Sequence, residues 1–504
     1  MGRNSLRARV RLLAPLPEVV SKHRRWTKAD KPVKKMRGMS YEKRADYSRT
    51  WLLPPSLEEW VGPDHPARFI REFVDAMDLN QLGFRVRESE QGRPNYAADL
   101  LLKVWLYGYF QKIRSSRGLE RACREAIGLV WLTGRNEPDH NTLWRFWKDN
   151  KKALKRVFQE SVRVAARADL VGMLVHAVDG TKIGAAGSKW KAWHRKDLER
   201  WLARVDSSID EVMEQVETAE AKESGEYRLP AELCDREKLR ATIRQGLEEL
   251  QQAGRDHVSK TDPQARMMKM GNNYDYGYNA QAVIDEQNGI LVAAEVVADE
   301  DDHHLLTPML EKVEETLGGA AEETIADAGY ASGSEFQRAE EKGYEVLANI
   351  VEPGADDDYH HSRFRWDAEQ DHCVCPRDEV LSFESVKKNR DGSPVRMYRC
   401  QSYLACPVRW QCSRNNRGRT VAISSYHGAW QRQKAKQAEP DKKAILRRRA
   451  QLIERVFAWI KQEMGFRRWT VRGLTAVQGQ WALLCTTVNL RIMYRTWRKR
   501  LLLA

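Results

Sequence analysis

The stretch from Met173 to Ser188, MLVHAVDGTKIGAAGS, constrains the fold most, because an apolar run ends there on an ionisable residue. Met173 to Val178 is short, rich in Val, Leu and Ala and free of helix caps, so it reads as a buried strand with Asp179 at its exit. A carboxylate there must be solvated, hydrogen-bonded or paired with a cation, since burying it alone costs several kcal/mol or shifts its pKa. Asp-Gly-Thr alone would simply turn the chain. Far downstream the arrangement repeats: Glu323 to Ala328, ETIADA, reads as a strand with Asp327 at its exit, just before Gly329. The expected class is α/β, a mixed sheet with helices, bearing carboxylates at its strand ends.

The chain has 504 residues, long enough for two to four domains. Its 85 basic and 71 acidic residues leave a charge of +14, much of it near the two ends, which suits a polyanion such as nucleic acid. No apolar run reaches membrane-spanning length and no signal peptide opens the chain, so a cytoplasmic protein without a membrane partner is expected. Its 8 Cys then suggest metal binding where they cluster, not a disulfide framework.

Residues 1–47 carry RARVR, KHRR and KPVKK and read as a basic flexible arm. Residues 48–169 read as a helical domain. Ser56 and Asp64 are candidate caps; Phe69, Ile70, Phe73, Val74 and Met77 recur at helical spacing; Ala97 to Phe110 is apolar almost all round. Ser115 or Ser116 starts a helix through Ile127, and Asp139 or Asn141 caps another, a pair that resembles a helix-turn-helix with a long connection. Arg135, Arg145 and Lys148 would there contact DNA ends, or else solvate a bundle surface.

Residues 170–351 and 426–494 read as one sheet-bearing domain, interrupted at 189–262 by a charged helical insertion. Tyr278 to Ile284 and Ile290 to Val297 should form an antiparallel hairpin about Asp285 to Gly289, followed by a helix from Leu305 to Leu317. Residues 352–425 form a second insertion, and 495–504 a basic tail. In that insertion Cys375, Cys400, Cys406 and Cys412 offer four thiolates to one structural Zn²⁺, with Cys373, His360, His361 and His372 as substitutes; the alternative is a set of reduced, partly buried thiols.

From Asp441 a long helix runs to Gly465, with Arg447 seven residues before Glu454 and Lys461 seven after, nearly on one face. A Glu flanked by cations is usually a surface ion pair, but Glu454 adjoins the core-facing Ile453 and Phe457, which favours a partly buried site. Asp179, Asp327 and Glu454 make an all-oxygen set of the kind hard divalent cations take. Two such ions about 3.5–4 Å apart stabilise the attacking and leaving oxygens of phosphoryl transfer, which points to nucleic-acid cutting or joining.

The chain also resembles the bacterial insertion-sequence transposases of the DDE type, in the branch with an N-terminal helical domain. The resemblance runs from Trp51 to Tyr494 and rests on LLPPSLEEWVGPDHPAR, GRPNYAADLLLKVWLYGYFQKIRSSRGLERAC, PDHNTLWRFWKDN, VDGTKIGAAGS, GYNAQAVID, IADAGYAS and IERVFAWIKQEMGFRRWTVRGL. It implies a ribonuclease-H-like fold, an acidic triad at Asp179, Asp327 and Glu454 holding two Mg²⁺ or Mn²⁺ ions, and a DNA-phosphate contact at Lys461. The family's Tyr and basic residue before the Glu fall on Arg447 and Ala450, a departure for which Arg447 or Arg449 would substitute. Lys182, Arg467 and Arg468 are further candidates for DNA contact; Lys182 alone reads equally as a solvated turn lysine. The implied activity is binding of terminal inverted repeats, nicking by metal-activated water and transfer of the 3′-hydroxyl ends to target DNA, by a homodimer at the bacterial nucleoid. A catalytically inactive DNA-binding relic and a host nuclease without strand transfer are the alternatives.

Overall fold

The computed structural model describes residues 56–85, 95–187, 192–220, 231–252, 254–352, 354, 356–389 and 391–503, all within the compact unit Pro55–Ala504. The basic arm, the stretch Trp51 to Pro55 and Ser188 lie outside the described residues.

A helical layer comes first: α1 (Pro66–Asp75), α2 (Ala98–Phe110), α3 (Ser116–Glu125), α4 (Ile127–Leu132), α5 (His140–Asp149) and α6 (Lys151–Arg167). Its centre is α2, buried on nearly every side, as its unbroken apolar sequence requires. Ser115 caps α3 and Asp139 caps α5, each side chain accepting backbone N–H groups. His65, not Asp64, caps α1, its Nδ1 accepting from Ala67 N. The unexpected α4 fills the connection between α3 and α5, with Leu129, Trp131 and Leu132 buried, so these two helices are not joined by a tight turn.

The sheet strands follow: β1 (Val175–Gly184); β2 (Ala192–His194), α7 (Arg195–Glu220), α8 (Ala231–Gln252) and β3 (His257–Ser259), which form the helical insertion; then β4 (Arg266–Met270), β5 (Asn273–Asp285) and β6 (Leu291–Val297). After α9 (Leu306–Leu317) come β7 (Glu323–Ala326), α10 (Gly333–Glu341) and β8 (Val346–Ala348). The main sheet runs β4-β5-β1-β7-β8, with β6 also pairing β5. β5 lies antiparallel to β1 and to β6, whereas β7 lies parallel to β1 and β8 parallel to β7. The hairpin expected about Asp285 to Gly289 is β5–β6.

The second insertion is a separate sheet of β9 (Arg365–Asp367), β10 (His372–Val374), β11 (Val380–Lys388), β12 (Pro394–Cys400) and β13 (Thr420–Ser424), with the short α11 (Arg409–Cys412). Its small core of Phe364, Cys373, Leu381, Tyr398, Val421 and Ile423 is separate from the main one. The chain returns through α12 (His427–Ala438) and α13 (Pro440–Ala458), passes a π-helical turn at Trp459–Glu463 and closes with α14 (Leu474–Leu503). The expected tail is thus the end of a helix, because α1 gives it a partner: Trp497 packs on Phe69 with ring centroids 5.6 Å apart, and Arg498 pairs with Asp64 at 2.9 Å. No helix among the described residues is long and apolar enough to cross a membrane.

Candidate active site

Asp179 does not end its strand. β1 continues to Gly184, held by β5 along the register from His176↔Asp285 to Gly184↔Gly277. Gly180, which read as a turn residue, is instead a point of close approach: a Cβ there would meet Gln281 Nε2 at 2.3 Å and Asn279 Oδ1 at 2.9 Å. Asp327 does stand at a strand exit, where its Oδ1 accepts from Gly329 N at 2.9 Å and starts a short 3₁₀ turn.

The parallel register pairs Ala177 with Ile325. Two residues further along both chains are Asp179 and Asp327, so the two carboxylates leave adjacent strands at one level and on one face of the sheet. α13 crosses that face, tied down by the ion pairs Lys442–Glu323 and Arg448–Glu286. From it Arg449 Nη1 donates to Asp179 Oδ2 at 2.8 Å, while Gly180 N donates to Oδ1 at 2.7 Å. Burial and the like charge of Asp327 outweigh these two donors and push the Asp179 carboxyl up to about 6. Lys461 is half-buried; desolvation lowers its ammonium pKa, against the attraction of Asp179.

Glu454 stands apart. It is exposed on α13, five residues after Arg449 and so about 140° round the helix from it. Among the described residues no three His, Cys, Asp or Glu side chains have the spacing of a metal site, so Glu454 does not join the two aspartates in this conformation. The π-helical turn also alters its expected alignment with Lys461, because a wider turn advances each residue by a smaller angle.

A further acidic residue lies near Asp327, on the Gly180 side of β1, without completing a three-carboxylate set in this conformation. Asp302, in the loop between β6 and α9, accepts at Oδ1 from Asn279 Nδ2 and Gln281 Nε2, each at 2.7 Å. Burial raises its pKa, the two amides oppose that, Asp327 adds to it and Lys182 counters it. Beneath lies the wholly buried Tyr330, whose hydroxyl donates to Gln281 Oε1 and is held well above its usual pKa by burial and the charges of Asp302, Asp179 and Asp327. Asp302 was not among the sequence candidates. Its signal was the pair of amides in the otherwise apolar run YNAQAVID, two polar groups at alternate strand positions that need a partner when buried.

The remaining candidates scatter. Arg468 is taken up as a latch, donating to Ala185 O at 2.8 Å, Gly187 O at 2.6 Å and Asp275 Oδ2 at 2.6 Å. Arg467 donates to Lys461 O at 3.3 Å, and Arg447 is exposed on α13. Arg135, Arg145 and Lys148 are exposed on the helical layer, Arg145 beside the exposed Trp144. In the second insertion Cys375, Cys400 and Cys406 all lie within electrostatic reach of Cys412 without the spacing of a metal site in this conformation, and Cys375 Sγ accepts from Arg377 N at 3.3 Å. Cys373 faces the small core, where burial pushes its thiol up to about 12. His360 and His361 lie against each other with ring centroids 3.9 Å apart and planes tilted by 51°, and His372 is a β10 ladder residue.

Two family models match the chain: a transposase DDE domain over residues 374–494 and a transposase domain of the DUF772 type over residues 55–149. Both are models of transposase domains, and together they support a DDE-type insertion-sequence transposase. No curated protein matches it. A similar solved structure is the cryo-EM structure of piggyBac transposase synaptic complex with hairpin DNA, at 9% identity and a TM-score of 0.32, covering 87% of this chain and 74% of that one.

Proposed function

We propose that this transposase binds the ends of an insertion sequence, cuts the strand there with divalent-cation assistance and joins the freed 3′-hydroxyl to target DNA. The observation that carries this reading is the pair Asp179 and Asp327, close together at adjacent parallel strands, with Asp179 held from α13. The strand order β6-β5-β1-β7-β8, with the first three antiparallel and the last two parallel to β1, supports a ribonuclease-H-like sheet.

The donor set suits Mg²⁺ or Mn²⁺. It is all oxygen, and Asn279 Oδ1, buried on the neighbouring strand, lacks a hydrogen-bond partner. A bound pair of ions would supply Lewis-acid stabilisation of the attacking and leaving oxygens. The chain's own part is positional. The parallel register sets the two aspartates side by side, Arg449 holds Asp179 in place, and Lys461 and Lys182 present positive charge for the scissile phosphate. Glu454 would complete the triad only if α13 turned or shifted toward the strand ends, a movement that DNA and cation could favour by binding the closed form better.

Arg135, Arg145 and Lys148, with the exposed Trp144, are proposed to contact the element's ends, and joining two ends implies a homodimer. The four thiols of Cys375, Cys400, Cys406 and Cys412 are proposed as ligands of a structural Zn²⁺ that braces an insertion with a core of only a few side chains. Incubation with labelled end DNA, a 3′-hydroxyl target oligonucleotide and Mg²⁺ tests the function: joined products support a transposase, cut ends without joining would indicate a nuclease, and retention without cutting a DNA-binding relic.

A further inference from the structure

We propose that Asp302 is a ligand-side carboxylate of the cation centre, its Oδ1 held by Asn279 and Gln281 and its Oδ2 offered to a divalent ion together with Asp327. This rests on the reading of Asp179 and Asp327 as the cation-binding pair. Asn279 and Gln281 alternate on β5, so both project from one face, and they are only 1% and 0% exposed. Both amides donate to the same oxygen of Asp302 at 2.7 Å, which fixes the plane of the carboxylate and leaves Oδ2 outside that network.

Gly329 keeps that second oxygen open toward Asp327. A Cβ on Gly329 would lie 3.0 Å from Asp327 Oδ1 and 3.4 Å from Asp302 Oδ2, so a side chain there would crowd the gap between the two carboxylates. Gly180 leaves room for the amide network itself, since a Cβ on it would lie 3.0 Å from Asp302 Oδ1. Asn279 Oδ1, 2.9 Å from that same point, is buried and has no hydrogen-bond partner. An amide oxygen in that condition costs free energy until a cation or a water satisfies it. Among the described residues Asp302 forms no ion pair with Lys or Arg, and Lys182 acts on it from beyond salt-bridge distance. Oxygen donors beside a small gap are what hard divalent ions bind. Second-sphere amides that fix the carboxylate plane complete the arrangement.

The test is Mn²⁺ titration of the full-length protein, followed by electron paramagnetic resonance, in the wild type, Asp302→Asn and Asp179→Asn. Asparagine at 302 keeps an acceptor for both amides and loses the charge. The expected result is binding weaker by about 10-fold or more in Asp302→Asn, with an unchanged circular-dichroism spectrum. Wild-type Mn²⁺ affinity in Asp302→Asn, alongside weakened binding in Asp179→Asn, overturns the role of Asp302 and leaves the strand aspartates standing. Wild-type affinity in both variants overturns the whole centre. Should the asparagine variant fail to fold, Asp302→Ser is read against the same thresholds.

Discussion

Arg449 on α13 donates to Asp179 on β1 at 2.8 Å, a pair separated by 270 positions in the chain and with each side chain about one-fifth exposed. It joins α13, late in the chain, to the strand that opens the main sheet. Removing Arg449 leaves a desolvated carboxylate beside Asp327 with only the Gly180 N–H as donor. Arg449→Ala is therefore expected to destabilise the protein by roughly 1–3 kcal/mol in urea unfolding. A change within about 0.5 kcal/mol, the range of an exposed pair, would contradict a partly buried bridge.

The pH dependence follows from Asp179. Its carboxyl stands at about 6 in the folded protein against 3.8 when exposed. Between those values the folded state keeps a proton that the unfolded chain has released, so stability falls as pH rises through the window and is level above it. In a metal-free buffer, the unfolding free energy of the wild type relative to Asp179→Asn should drop by up to roughly 3 kcal/mol from pH 4 to pH 7. A difference that rises with pH would mean that Arg449, not burial and Asp327, dominates the site. Cation affinity should move the other way and increase as Asp179 ionises.

Gly180→Ala tests the close approach of β1 to β5. The added Cβ would meet Gln281 Nε2 at 2.3 Å, inside a buried strand pair, and would push the amide off Asp302. Loss of roughly 1–3 kcal/mol in urea unfolding is expected. A neutral change would mean that the sheet yields there freely.

Much of this was legible in the sequence, and what was not had a physical reason. Asp327 was correctly read at a strand exit because Gly329 and a short 3₁₀ turn follow it at once. Asp179 was read the same way, but the strand runs on, since β5 pairs it as far as Gly184 and a glycine within a strand looks from sequence like a turn. The end of the helical run that begins with α13 was visible in Gly465, which adopts φ 63°, whereas the π-helical turn before it was not, because helical spacing assumes a constant period. Asp302 stayed hidden for a third reason. Asp299 to Asp302 looks like a solvated acidic loop, and only the fold brings it against Asn279 and Gln281 from the preceding hairpin.

The second insertion offers a separate check. If Cys375, Cys400, Cys406 and Cys412 bind Zn²⁺, the purified protein carries about one zinc per chain, and Cys406→Ser lowers that content and the melting temperature together. Cys373→Ala, which alters the small core and no proposed ligand, should lower the melting temperature while zinc content holds. Metal content near zero in protein purified without chelators would leave these residues as reduced thiols.

The most direct measurement is Mg²⁺-dependent cleavage of DNA carrying the element's end, comparing the wild type with Asp327→Asn, since that carboxylate faces Asp179 from the adjacent strand. The expected result is cleavage by the wild type that chelator abolishes, and a rate lower by at least about 10²-fold in Asp327→Asn, with end binding in a gel shift retained. Cleavage by Asp327→Asn at the wild-type rate would contradict a cation centre built on the paired strands.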